Sequence, residues 1–295
     1  MTTQYTHIVL SGGGMSGLVY LGVLRYLQQE GYDKNIRHIA GASIGALFAT
    51  AFAIGMSMGD LEKNFKIFFA DYEKCKIPVS MASLIQSYDN LGIDDGKRLI
   101  EPIQDVIGNL TFLELSKRTG KDLVISATHL YSMEPTYFSV NLTPHVRVID
   151  AVRASMAVPI FIKPVEIGDD YYIDGGISDG VPINAFPNVN PDSVLILHLT
   201  RQSKRIEEHH TISPLRIILS MLQSYLRNYL AQKLLESKYP HYCPFNSCPV
   251  GFVPLVWEND ECILKILPEK IDQSFEKGYE QIQEFLKLRE KSKDL

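Results

Sequence analysis

The sequence predicts an α/β protein in three layers, α/β/α, with a mainly parallel central sheet and a helical C-terminal extension. Three observations carry that expectation. Short apolar runs alternate with helix-period segments from His7 to Thr200. Glycine-rich turns stand where strands hand over to helices, at Gly12-Gly13-Gly14, at Gly41 to Gly45 and at Gly175-Gly176. Ser193–Thr200 (SVLILHLT) is apolar enough to be buried on both faces, as strands of parallel sheets are.

The elements follow in order. His7–Leu10 reads as a strand, broken by three glycines. Gly17–Glu30 then sets Leu18, Leu21, Val23, Leu24 and Leu27 on one helical face, and Gly31 supplies a stop. Ile36–Ala40 is a second strand, which Gly41-Ala42-Ser43-Ile44-Gly45 turns into a helix. No charged residue occurs from Ile39 to Gly59, a length that could span a bilayer. That stretch is rich in Gly, Ala and Ser, and its opening turn would leave backbone groups unpaired in hydrocarbon. It reads as a buried helix, and no transmembrane segment is expected. Leu61–Phe69 and Lys97–Ile107 have helical spacing, with Asn90–Gly96 as a loop. Lys121–His129 and Tyr137–Asn141 read as strands, and Ile149–Ala157 as a helix ending before Pro159. Tyr171–Ile173 is a strand feeding Asp174-Gly175-Gly176. Beyond Arg201 a polar stretch leads to an amphipathic helix, Ser213–Tyr239, then a Pro- and Cys-bearing loop and a final helix around Ile271–Lys291. No repeat or linker divides the chain. The expected organisation is a unit over 7–200 with a helical extension, 201–295, packed on the same domain.

Composition narrows the classes. In 295 residues, 45% are hydrophobic and 21% charged, which excludes a disordered, collagenous or coiled-coil chain. Lys and Arg number 29 against 34 Asp and Glu, a net charge of −5, so no nucleic-acid partner is expected. Four cysteines (Cys75, Cys243, Cys248, Cys262) lack C-x-x-C spacing, so neither a zinc ribbon nor a disulfide scaffold is indicated. The N-terminal stretch has no basic run followed by an apolar one, so no secretory signal is read and a cytoplasmic protein is expected.

Three motifs carry chemistry. Gly41-x-Ser43-x-Gly45 sets a serine on a tight strand-to-helix turn, where flanking glycines avoid clashes and the helix aims its positive end at a developing oxyanion. Gly12-Gly13-Gly14-Met15-Ser16-Gly17 offers backbone N–H groups that could form an oxyanion hole beside that serine. The same loop fits the G-x-G-x-x-G dinucleotide fingerprint, but the next strand ends in Gly41-Ala42-Ser43 rather than an acidic residue, and no cofactor or metal is expected. Asp174-Gly175-Gly176 places a carboxylate at a strand end where the glycines allow close approach to another turn.

Together these motifs resemble the patatin-like phospholipases, whose pattern is a glycine-rich loop, a G-x-S-x-G serine and a D-G-[GA] aspartate in that order. The segment Arg153-Ala154-Ser155-Met156-Ala157-Val158-Pro159 is also similar, and the resemblance spans about His7 to Thr200. It implies a Ser–Asp dyad without histidine: Ser43 as nucleophile, Asp174 as general base, and Gly12, Gly13 and Gly14 as oxyanion donors. It further implies a lipid acyl hydrolase, of phospholipase A or lysophospholipase type, meeting its substrate peripherally at a membrane or micelle surface. One departure is Ser16, where the family usually carries Lys or Arg. An aspartate can serve as base only where burial raises its pKa, and an apolar lipid cleft would do that. Two alternatives stay open: a Ser–His–Asp hydrolase drawing on His198, His209, His210 or His241, and a non-catalytic lipid- or protein-binding module of the same fold. Phe65, Phe68 and Phe69 read as core, and Asp94, Asp95 and Asp179 as turn residues.

Overall fold

A computed structural model describes residues 5–70, 76–77, 91–200, 242–246, 256–258, 261–263 and 268–291. Its strands in chain order are β1 (His7–Leu10), β2 (His38–Ala42), β3 (Lys76–Ile77), β4 (Gly92–Asp94), β5 (Asp122–His129), β6 (Pro135–Ser139), β7 (Ile160–Ile162), β8 (Val165–Ile167), β9 (Asp170–Ile173), β10 (Val194–Thr200), β11 (Tyr242–Asn246), β12 (Val256–Glu258) and β13 (Glu261–Ile263). The helices are α1 (Val19–Gln29), α2 (Ile44–Ala53), α3 (Met58–Ala70), α4 (Glu101–Ile107), α5 (Phe112–Thr119), α6 (Val148–Ser155), the single turn α7 (Gly176–Asp179) and α8 (Pro268–Lys291).

The central sheet has eight strands in the order β11-β10-β1-β2-β5-β9-β8, with β6 paired to β5. From β11 to β5 every neighbour is parallel, while β6, β8 and β9 join antiparallel. The mainly parallel sheet predicted from sequence is thus present, with an antiparallel margin that the sequence did not signal. Successive residues of the parallel strands alternate between two cores, as the pleat requires. Ile8, Leu10, Ile39, Ile125, Leu195 and Leu197 join the helices in one cluster, whereas Val9, Ala40, Val124 and Ile196 face Val181, Ile183 and Phe186 in the other.

The charge-free stretch resolves into strand, turn and helix. All ten residues of α2 are buried, and the Thr50 hydroxyl donates to the Ala46 carbonyl at 2.8 Å. Among the described residues no helix is long and apolar enough to cross a membrane. Phe65 is core, stacked on Phe48 with ring centroids 5.5 Å apart; the side chains of Phe68 and Phe69 lie outside the described residues. The expected helix Ser213–Tyr239 also lies outside them.

Several boundaries differ from expectation. The second strand runs His38–Ala42 rather than 36–40, because Ile36 is used in the core ahead of the strand. The fourth expected strand, 137–141, is β6 at Pro135–Ser139, held in register by β5. The stretch 90–96, read as a loop, contains β4, which pairs with β7. The segment 97–107 opens with a 3-10 turn, Lys97–Ile100, before α4. Helix α8 lies against α1 at backbone distance: a Cβ on Gly22 would sit 1.9 Å from the Phe275 carbonyl oxygen, and one on Gly278 2.0 Å from that of Val19.

Candidate active site

Parallel pairing of β1 with β2, Leu10 opposite Gly41, releases the glycine loop and the serine turn side by side at the carboxyl edge of the sheet. A Cβ on Gly12 would lie 3.2 Å from the Ser43 Cβ. Ser43 itself sits at φ 52°, ψ −128°, a conformation that a residue with a side chain adopts only under constraint from its surroundings. Part of that constraint is the close passage of α2 under the sheet. A Cβ on Gly45 would stand 2.4 Å from the Leu10 carbonyl oxygen, so only glycine permits it.

Asp174 arrives from β9 on the far side of β5. Its carboxylate oxygen Oδ2 accepts the Ser43 hydroxyl at 2.7 Å, across 131 positions of chain. Oδ1 accepts the Gly176 N–H at 2.7 Å. The Asp174 backbone is fixed as well: its N–H donates to the Ala157 carbonyl at 3.0 Å, and its carbonyl accepts the Thr128 hydroxyl at 2.8 Å. Gly175 makes the turn possible, since a Cβ there would be 2.0 Å from the Ser126 carbonyl oxygen. Ser43 and Asp174 are both buried. Burial pushes the Asp174 pKa up to about 6, against the opposing pull of the bonds from Ser43 and Gly176.

The glycine loop departs from expectation at one position. The Gly12 N–H donates to the Gly180 carbonyl at 2.8 Å, which commits it to holding the loop and removes it from the oxyanion donors. Gly13 and Gly14 are exposed, and Gly14 takes a left-handed φ of 55°. Ser11 steadies the loop from behind, its hydroxyl oxygen accepting the Leu199 N–H at 2.9 Å. Ser16 is buried in the 3-10 turn Gly14–Leu18, and so places no positive charge on the loop.

Ser43 bonds the carboxylate of Asp174 directly, with no imidazole between them. His198 is buried on β10, where burial lowers its pKa to about 4 and leaves it neutral; His209, His210 and His241 lie outside the described residues. Asp179, expected in a turn, is buried on α7 and accepts the Tyr137 hydroxyl. Among the described residues no cluster of three His, Cys, Asp or Glu side chains could hold a metal ion. Two side chains, Ser155 within the family-like segment 153–159 and Thr128 within β5, have roles at the site that the sequence did not signal. Ser155 accepts the Ser43 N–H at 2.8 Å and donates to the Ser126 carbonyl at 2.6 Å, and Thr128 braces Asp174.

A serine raised on a strained strand-to-helix turn, at the carboxyl edge of a parallel sheet, has the backbone geometry of a nucleophile elbow. The family model for patatin-like phospholipase matches residues 8–187, and the chain belongs to that family. Protein R571 of Acanthamoeba polyphaga mimivirus is 30% identical over 187 residues, 62% of each chain. Triacylglycerol lipase 4 of Saccharomyces cerevisiae is 29% identical over 215 residues, 64% of this chain and 23% of its own. Among solved structures, VipD from Legionella pneumophila superposes with a TM-score of 0.58 at 18% identity, covering 96% of this chain and 67% of that one, a likeness of fold. The match spans less than two thirds of each of the two curated relatives.

Proposed function

We propose that the protein hydrolyses fatty acyl esters of phospholipids or lysophospholipids through a Ser43–Asp174 dyad. The observation that carries this reading is the 2.7 Å bond between the two side chains in a buried site. Asp174 takes the hydroxyl proton as Ser43 Oγ attacks the ester carbonyl carbon. The oxyanion is held by backbone N–H groups of Gly13 and Gly14, and a lost donor of this kind costs about 3–4 kcal/mol of barrier. Collapse breaks the ester C–O bond, and the leaving alcohol takes the proton from Asp174. Water then attacks the acyl-enzyme, gives its proton to Asp174, and the second collapse frees the fatty acid and returns that proton to Ser43. A carboxyl with a pKa near 6 is mostly ionised at neutral pH yet far more basic than an ordinary aspartate, as the first step requires. The substrate would be met at a membrane or micelle surface.

The test is a panel of phospholipids, lysophospholipids and neutral glycerides, the last prompted by the name of the yeast relative. It is assayed with wild type, Ser43→Ala and Asp174→Asn. A lipid cleaved by wild type alone names the substrate class; equal cleavage by all three ends the proposal. A second reading, a weak or inactive lipid-binding member, is favoured by the uncharged Ser16. A fluorophosphonate probe that leaves Ser43 of folded protein unlabelled would decide for it.

A further inference from the structure

The C-terminal turn of α6 touches both halves of the dyad through backbone groups. The Ser43 N–H donates to the Ser155 hydroxyl oxygen at 2.8 Å, and the Ser155 hydroxyl proton goes to the Ser126 carbonyl at 2.6 Å. The proton of that hydroxyl is therefore committed, and a lone pair is left facing Ser43. The next residue pair is held from the same turn: the Gly175 N–H donates to the Ser155 carbonyl at 3.1 Å, and the Asp174 N–H to the Ala157 carbonyl at 3.0 Å. Ser155 is fully buried, so water cannot replace its hydroxyl. Register adds a third link, because Ser126 lies opposite Ala42, the residue before Ser43.

We propose that Ser155 is a positioning residue: its hydroxyl holds the strained backbone of Ser43 and its carbonyl holds Gly175, so that the nucleophile hydroxyl and the Asp174 carboxylate meet. The inference rests on the Ser43–Asp174 reading given above. Without the hydroxyl, the Ser43 N–H loses its acceptor in a dry site, and the turn relaxes from φ 52° toward less strained values. A shift of about 1 Å at a reacting group can cost on the order of 100-fold in rate. The same bond accounts for a feature of the site: the Ser43 N–H is engaged on the protein side, which leaves the oxyanion to the glycine loop.

The experiment measures the rate of fluorophosphonate labelling of Ser43, and kcat and KM on a soluble p-nitrophenyl ester, for wild type, Ser155→Ala and Ser155→Cys, each across pH 5 to 8. Expected for Ser155→Ala is a fall of about 10–100-fold in labelling and kcat, with KM within about twofold. Ser155→Cys, a weaker acceptor of nearly the same size, falls less, and it carries the test alone if the alanine variant does not fold. The midpoint of the acid limb also moves up from about 6, because burial then acts on Asp174 with the Ser43 hydroxyl bond, one of the two bonds that pull its pKa down, weakened. Folded variants of lower thermal stability that label at the wild-type rate, with an unmoved midpoint, overturn the proposal. Wild type that does not label at all fails the dyad reading itself, and this inference falls with it.

Discussion

The two edges of the central sheet hold ionisable groups of different burial, a buried aspartate at one and a half-buried histidine at the other. At the carboxyl edge, burial raises the Asp174 pKa to about 6 and keeps it bonded to Ser43. At the amino edge, His7, His38 and Asp122 lie in one row across β1, β2 and β5. There the His7 ring stacks on that of His38 at 4.3 Å and meets Phe186 edge-on at 4.9 Å. Burial, helped by the neighbouring His38, lowers the His7 pKa to about 4. Both edges shift a pKa by desolvation, yet only one brings strained backbone, a serine hydroxyl and a glycine loop to the shifted group. A perturbed pKa marks a site only when such partners converge on it.

The sharpest way to break the contrast is at the dyad. Ser43→Ala should lower ester hydrolysis by about 10⁴-fold or more, and Asp174→Asn nearly as far, with folding intact by circular dichroism. Next is Gly175→Ala, whose Cβ would stand 2.0 Å from the Ser126 carbonyl oxygen. It should cost about 1–3 kcal/mol in denaturant unfolding and about 100-fold in rate, because the Asp174 turn must back away. Acid comes third: below about pH 6 Asp174 takes up a proton, and kcat should fall about tenfold per pH unit. The sign for stability is the reverse. A carboxyl whose folded pKa is raised favours the folded state at low pH, and loses that contribution as pH rises through about 6. The smallest effect belongs to the amino edge. His7→Phe keeps the ring packing and should leave kcat within about twofold. The folded pKa of His7 is lowered, so its contribution is present above about pH 6.5 and lost as pH falls toward 4. The variant should therefore gain about 1 kcal/mol at pH 5 relative to pH 8, after allowance for a half-exposed ring.

What could be read from the sequence was what glycine encodes locally. Gly41-x-Ser43-x-Gly45 and Asp174-Gly175-Gly176 specify backbone that other residues cannot follow, and both turns stand where expected. The apolar runs gave β1, β5 and β10 within a residue or so, since each is buried along most of its length. Short strands such as β4, β7 and β8 carry too few residues to show a period, and exist because neighbours pair with them. The fate of the Gly12 N–H depended on Gly180, a partner far along the chain. Ser155 was illegible for a similar reason: inside a helical pattern, nothing distinguishes a serine that caps a distant turn from one that merely fills space.

Gly22 and Gly278 let two helices meet backbone to backbone, and one of them follows the glycine loop directly. Anyone trimming the gene to the family-matching stretch, 8–187, would delete both that partner helix and β10. The cut would strip β1 of one of its two hydrogen-bonded neighbours, β10, and bare an apolar edge, the kind of surface that seeds precipitation. Expression boundaries for this chain are better drawn beyond Lys291 than at the end of the homology.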